Sequence, residues 1–254
     1  NNIANPVRGL QNLQKLIPMP KRLLEVQREF RQRDDAKGGI PKTRFNKKLS
    51  PHRVFDGREF ALSDIKEIRA AFAGATVNDV MIAVVSGAMR AYLKAKNDLP
   101  EKTMKIGAPV SVRSDDDRDS AGNQVTMMQV GVGTHLADAG ERLTFIMEET
   151  RRSKAMTQAL GAKTLMELSG AMPAGLTAAG TKMMIRAGMV ERLNPAVNSV
   201  VTNVPGPMVP MYFAGAKLVK SFGMGILAEG QGLFHVVTSY NGNVILTFLA
   251  DRNI

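Results

Sequence analysis

Apolar residues recur along this chain at two periods, one helical and one strand-like, and the alternation between them outlines the fold. Leu10, Leu13 and Ile17 fall at the spacing of one helical face, and Pro18 and Pro20 interrupt it. A second helix starts with Pro20 in its first turn. It places Leu23, Val26 and Phe30 on one side and Lys21, Arg22, Arg28, Arg31 and Arg33 elsewhere, before Gly38, Gly39 and Pro41 end it. Arg53 to Leu62 reads as extended chain with Gly57 at a turn, and Ser63 then caps a short helix from Asp64 to Phe72 that Gly74 closes. The clearest helix opens at Thr76-Val77-Asn78-Asp79, with Val77, Val80, Met81, Val84, Ala88, Ala91 and Tyr92 along its buried side.

Two strands follow, Met104–Val112 and Val125–Leu136, on either side of an acidic turn at Asp115-Asp116-Asp117. The weak alternation of Val125, Met127 and Gln129 fits a strand with one face against something other than bulk water. A helix from Ala139 to about Leu160 carries its face on Leu143, Ile146, Met147 and Thr150. The last third reads as four strands, Ala196–Val204, Lys217–Met224, Leu233–Tyr240 and Val244–Ala250, with Asn241-Gly242 as a two-residue hairpin turn between the last pair. Helices and strands in alternation followed by a hairpin predict a mixed α/β layer architecture.

With 254 residues, 44% of them hydrophobic, the chain can bury one large core. It contains no cysteine, which excludes disulfides, a thiolate nucleophile and a cysteinyl acyl-enzyme. His52, His135 and His235 are its three histidines, and no two stand at metal-ligand spacing, so no metal site is expected. The net charge of +11 is lopsided: residues 1–58 hold fourteen Lys/Arg against five Asp/Glu, whereas residues 59–254 hold twenty against eighteen. The basic character belongs to an N-terminal arm. That arm reads either as a solvated surface helix or as a basic amphipathic segment on an anionic lipid surface. Its aromatic residues before Phe55 are Phe30 and Phe45, which form no base-stacking platform interleaved with cations, so no nucleic-acid partner is expected.

Residues 165–189 are rich in methionine, with Gly170, Gly175, Gly180 and Gly188 among them. Only fourteen uncharged residues separate Glu167 from Lys182, too few to span a bilayer, so this stretch serves either close helix packing or contact with an acyl chain. The N-terminal residues have neither the charge pattern nor the cleavage site of a signal peptide, and a cytoplasmic address is the expectation.

Candidate chemistry is sparse. Gly223-Met224-Gly225-Ile226-Leu227-Ala228 matches a dinucleotide fingerprint formally, but Glu229-Gly230-Gln231-Gly232 breaks the helix that should follow it. P-loop and nucleophile-elbow motifs do not occur. Asn203-Val204-Pro205-Gly206-Pro207 is stiffer: a strand of β-branched residues runs into two prolines flanking a glycine. Such a turn is either a rigid sheet edge or the mouth of a tunnel where Thr202 or Asn203 presents a donor to a carbonyl oxygen. Asp79, three residues after Thr76, either completes a capping box or belongs to a site with Asn78.

Asn198-Ser199-Val200-Val201-Thr202-Asn203-Val204-Pro205-Gly206-Pro207 resembles the C-terminal signature of the wax ester synthase/diacylglycerol acyltransferase family, in which serine is commoner at the place of Thr202. Thr76-Val77-Asn78-Asp79-Val80, Pro109-Val110-Ser111-Val112-Arg113, Gly122-Asn123-Gln124-Val125 and Glu141-Arg142-Leu143 also resemble family motifs, in the same order. The resemblance runs from about Thr43 to the end, which gives a basic helical linker arm at 1–42 and a C-terminal acyltransferase domain at 43–254.

The resemblance implies the C-terminal half of a chloramphenicol-acetyltransferase-like, CoA-dependent acyltransferase fold, a mixed sheet packed by helices, with a tunnel between two similar halves. It also implies a general-base histidine in a His-His motif of the N-terminal half. This chain has no His-His pair, and no catalytic role passes to His52, His135 or His235. The implied reaction moves a fatty acyl group from acyl-CoA, a substrate and not a cofactor, to a long-chain alcohol or diacylglycerol.

In that reaction the missing half is a partner, and this chain alone is expected to be inactive. Thr202 and Asn203 are the candidates nearest the oxyanion. Asn78, Asp79 and Asn123, with Pro205 and Gly206 at the turn, are accessory substrate-binding candidates. Phe222 and Met224 line the alkyl channel, and Gly225 and Gly232 leave room along it, so enlarging Gly232 is expected to favour shorter chains. A peripheral position at the inner membrane or on lipid inclusions follows for such substrates. The competing class is a non-catalytic lipid-binding or assembly module of the same fold.

Overall fold

A computed structural model describes residues 39–111, 125–160 and 195–254. The chain divides into two compact units; one, residues 1–39 and 160–189, lies almost wholly outside the described residues, together with the two N-terminal helices, the acidic turn, Asn123 and the Met-rich stretch read from the sequence. The other unit comprises residues 40–159 and 190–254.

Its elements are β1 (Arg53–Ala61), α1 (Leu62–Ala71), α2 (Val77–Ala95), β2 (Lys105–Ser111), β3 (Val125–Gly131), α3 (Ala139–Leu160), β4 (Ser199–Val204), β5 (Tyr212–Phe213), β6 (Ala216–Lys217), β7 (Leu233–Tyr240) and β8 (Asn243–Asp251). Six strands form one sheet in the order β1-β8-β7-β4-β2-β3. β4 runs parallel to both β7 and β2, and the remaining pairs are antiparallel. The mixed α/β architecture is therefore as the residue pattern predicts.

Because side chains alternate along a strand, the register sorts the sheet into two faces. Ile106, Ala108, Met128, Val130, Val201, Val237, Val244 and Leu246 face the helices and share one core with Met81, Ile82, Val85, Met89 and Leu93 of α2 and Leu143 and Ile146 of α3. Each fully buried Leu, Ile or Met here contributes about 1.5–3 kcal/mol. The face expected for α3, Leu143 to Thr150, is the observed one. That of α2 is turned: Ala88 and Ala91 are exposed, and Val85, Met89 and Leu93 take the buried stripe.

Other expectations are corrected. Gly57 sits within β1 opposite Thr247 and makes no turn. Ser63 lies inside α1 and does not cap it; Ala61 holds the cap position, and the Leu62 N–H donates to the Gly242 carbonyl at 2.9 Å. The strand beginning at Val125 stops at Gly131, five residues short, and the strand expected from Ala196 begins at Ser199. Of the strand expected over Lys217–Met224, Lys217 alone pairs, in a small hairpin with β5. That hairpin turns at Ala214 and Gly215, whose φ of 48° and 82° suit the same tight turn that Asn241-Gly242 makes between β7 and β8.

A buried amide cluster fastens residues 41–46 to the sheet. Asn46 Nδ2 donates to the Val197 and Gly230 carbonyls at 3.0 and 2.9 Å, while its Oδ1 accepts from Asn198 Nδ2 at 2.9 Å. Asn198 Oδ1 accepts from the Lys105 N–H at 2.9 Å, and its Nδ2 also donates to the Pro41 carbonyl at 2.6 Å. Buried polar groups are costly when left unpaired, so Asn46→Leu is expected to lose about 1–3 kcal/mol of unfolding free energy in urea. A loss below about 0.5 kcal/mol would mean that water substitutes for the amide.

Candidate functional site

Two motifs distant in sequence meet at the C-terminal end of β4. The first is the opening turn of α2. Thr76 and Asp79 form a complete capping box: the Thr76 N–H and Oγ1 donate to Asp79 Oδ2 at 2.9 and 2.7 Å, and the Asp79 N–H donates to Thr76 Oγ1 at 3.1 Å. The second Asp79 oxygen accepts from Thr150 Oγ1 of α3 at 2.7 Å. Asp79 is 3% exposed, and all these contacts are structural, which is the capping role the sequence left open. The adjacent Asn78 is half-buried, and its Oδ1 accepts from Asn203 Nδ2 at 3.3 Å across 125 residues of sequence.

β4 also separates the two oxyanion candidates. Val201 lies in the helix-side core and Asn203 reaches α2, so Thr202 between them faces the other side of the sheet, beside its register partner Val236. Asn203 and Pro205 are exposed, and Thr202 and Gly206 are half-buried. The strand is central, between β7 and β2, so the Pro-Gly-Pro turn closes a strand end and not the sheet's edge. Its Gly206 N–H donates to Ser239 Oγ at 3.1 Å.

The face opposite the helices is crossed by the segment from Lys220 to Ile226. Lys220 pairs with Glu59 of β1, and the Phe222 ring meets Phe55 edge-on at 6.5 Å. Thr247 Oγ1 donates to the Gly223 carbonyl at 2.6 Å, and Thr238 Oγ1 to the Ser221 carbonyl at 3.3 Å. Side chains thus hold this strap in place of a strand ladder.

Gly223 and Gly225 turn towards the sheet: a Cβ would lie 2.3 Å from Val236 at the first and 2.1 Å from the Phe234 ring at the second. The room these glycines leave is filled by β7, which corrects the reading of Gly225 as channel space. Gly232 is likewise buried, with Ile254, Leu49 and the Phe45 carbonyl within 3.6 Å of a Cβ. The outward positions Phe222, Met224 and Ile226 are apolar and exposed, Ile226 to 84%. On the uncovered half of the same face, Met127 is 53% exposed and Gln129 lies beside it, among the described residues. A projecting hairpin adds Tyr212 and Phe213, the latter 86% exposed. Tyr240 Oη accepts from the Met211 N–H at 2.8 Å and donates to the Leu218 carbonyl at 2.9 Å, which ties both strands at the hairpin's base.

No histidine stands at this site. His235 is buried on β7 with Ser199 Oγ 3.1 Å from its Nδ1, and desolvation pushes its pKa down to about 4 against a weaker upward effect of the Val200 backbone. His135 is exposed and edge-on to Phe145, and His52 is exposed ahead of β1. Arg142 of the Glu141-Arg142-Leu143 motif is buried and donates to the Leu136 and Ala137 carbonyls at 3.0 and 3.3 Å. Desolvation, followed by the nearby Arg90, lowers its pKa. No helix among the described residues is long and apolar enough to cross a membrane.

This unit is a mixed sheet with helices on one face, an apolar strap on the other and paired asparagines at a central strand's end. The chain belongs to the wax ester synthase/diacylglycerol acyltransferase family. The model of that family's C-terminal domain matches residues 121–254, and that of its catalytic domain matches residues 3–81. An O-acyltransferase of Acinetobacter baylyi is 34% identical over 82% of this chain and 43% of its own length. A protein of Mycobacterium tuberculosis described as a probable diacylglycerol O-acyltransferase is 33% identical over 80% of this chain and 44% of its own.

Among solved structures, the wax ester synthase/diacylglycerol acyltransferase of Marinobacter aquaeolei superposes with a TM-score of 0.67 at 27% identity, over 92% of this chain and 50% of that one. The nonribosomal peptide synthetase FmoA3 shares the fold at 15% identity, with a TM-score of 0.54 over 89% of this chain and 22% of that one. The chain spans less than half the length of the curated relatives it matches.

Proposed function

We propose that this chain is the C-terminal half of an O-acyltransferase that moves a fatty acyl group from acyl-CoA to a long-chain alcohol or diacylglycerol. The observation that carries the reading is the Asn203–Asn78 hydrogen bond, which joins two motifs 125 residues apart at one exposed strand end. In the reaction a base takes the alcohol's proton, the oxygen attacks the thioester carbonyl, and the tetrahedral oxyanion collapses as the CoA thiolate leaves and is protonated. His235 is too buried to suit that base, which supports the reading that the other half of the enzyme supplies the imidazole.

Asn203 has a second N–H beyond the one given to Asn78, and that N–H suits the oxyanion. Anchoring by Asn78 keeps the amide's NH2 end in place without reorganisation during the reaction. Thr202, on the other face, belongs with the alkyl path past Met127 and the outer side of Phe222, Met224 and Ile226. The projecting hairpin suits the partner half or a lipid surface, which agrees with a peripheral position at the membrane or on lipid inclusions.

In the complete enzyme, Asn203→Ala is expected to lower kcat about 10²-fold, the loss seen when an oxyanion donor is removed, and Thr202→Ala to have a smaller effect. Turnover unchanged in both would return the turn to a purely structural role. The exposure of Phe213 favours a second reading, a non-catalytic lipid-binding module. That module predicts vesicle binding that Phe213→Asp abolishes, and no turnover when the chain is combined with a histidine-bearing half.

A further inference from the structure

The sequence presents Thr150 as one more position on the buried face of α3, yet its side chain leaves the apolar core to reach the carboxylate that caps α2. Thr150 is 3% exposed. Its hydroxyl has one hydrogen and two acceptors in range, Asp79 Oδ1 at 2.7 Å and the Met147 carbonyl at 3.1 Å. The shorter contact is to a charged oxygen, and charge-assisted bonds are the stronger kind. The other Asp79 oxygen holds the Thr76 N–H and hydroxyl, so Thr150 fixes the rotation of a carboxylate that itself fixes the first turn of α2. Asn78 stands in that turn, with its amide oxygen on Asn203.

We propose that Thr150 is a positioning residue for the acyl-transfer site, acting through Asp79 and Asn78 on Asn203. The proposal rests on the role given to Asn203 above. Ser153, three residues further along α3, is the internal comparison. It is also buried, but its hydroxyl donates to the Gln129 carbonyl of β3 and not to Asp79.

The test is steady-state kinetics and thermal unfolding of the complete enzyme. Thr150→Val replaces the donor with a methyl of nearly the same volume against a carboxylate oxygen. It is expected to lower kcat about tenfold with KM changed less than about twofold, because a small misplacement of a transition-state contact acts on turnover. Thr150→Ser, which keeps the hydroxyl, restores kcat. Ser153→Ala lowers the melting temperature and leaves kcat in place. In an Asn203→Ala background, Thr150→Val produces no further loss of kcat, since both changes act on one group. If Thr150→Val does not fold, Thr150→Ala is read in the same way.

Independent, multiplying effects of Thr150 and Asn203, or a Thr150→Val enzyme that is less stable but turns over normally, would overturn the proposal alone. If Asn203→Ala itself leaves kcat intact, the assignment of Asn203 fails and the role of Thr150 fails with it.

Discussion

Gly206→Ala is expected to destabilise the protein by about 3 kcal/mol or more, the upper end of what overpacking costs. A Cβ at this position would lie 2.1 Å from the Ser239 carbonyl oxygen. Ser239 is paired on β7 with Val244 of β8, and the Gly206 N–H already donates to its hydroxyl at 3.1 Å. The Ser239 backbone cannot retreat without disturbing the β7–β8 ladder, whereas a flexible side chain would yield. The requirement is close approach and not a left-handed conformation.

Gly242→Ala separates the two effects: Gly242 has φ of 86° but nothing within 4 Å of a Cβ, so the cost there is backbone strain of about 1–2 kcal/mol. Urea unfolding of both variants gives the comparison. Equal and mild losses would mean that the turn does not press on β7. The Pro-Gly-Pro motif thus has a structural reason for its glycine that is separate from the chemistry proposed for Asn203.

What the residues disclose on their own is local. Thr76 and Asp79 satisfy one another within three positions, so spacing alone reveals the capping box. Asn241-Gly242 and the apolar face of α3 are legible for the same reason. The pattern misplaces the rotation of α2 because Ala88 and Ala91 are apolar by type but small enough to sit at the surface, while Val85 and Leu93 do the packing. The strap from Lys220 to Ile226 alternates glycine with apolar residues and so looks like a strand. It lies instead on a strand face, held by Thr247 and Thr238 hydroxyls that no periodicity shows.

The site follows the same division. Thr202 and Asn203 are neighbours in the sequence and opposites in the sheet, a consequence of strand geometry that was available once β4 was recognised. The partner of Asn203 was not available: it depends on a parallel strand end meeting a helix start 125 residues earlier. Asn198, the first residue of the same signature, spends its amide on Pro41, Asn46 and Lys105.

Acid is expected to destabilise this protein above the pH at which Asp251 and Asp56 titrate, and His235 is the cause. The folded state holds this imidazole neutral down to about pH 4, chiefly because burial removes water from the charged form. In the unfolded chain the same group takes up its proton near its ordinary pKa of 6.5. Between those values the unfolded state binds more protons, so stability is at its full value above pH 6.5 and falls as pH drops towards 4. One pKa unit corresponds to about 1.4 kcal/mol, which gives a loss of about 3 kcal/mol across the window. Asp251 and Asp56 have pKa values lowered below 3.8, so their stabilisation is lost only at lower pH.

The window therefore belongs to the histidine. Urea unfolding at pH 7 and pH 4.5 is expected to show a steep loss in the native protein and a much flatter one in His235→Gln. Parallel losses in the two proteins would assign the acid sensitivity elsewhere. The same substitution bears on the chemistry, because an imidazole packed between Ser199 and Phe248 has no route to a substrate hydroxyl. His235→Gln in the complete enzyme should accordingly keep its turnover at neutral pH, and a loss as large as that of a general base would return the search for that base to this half.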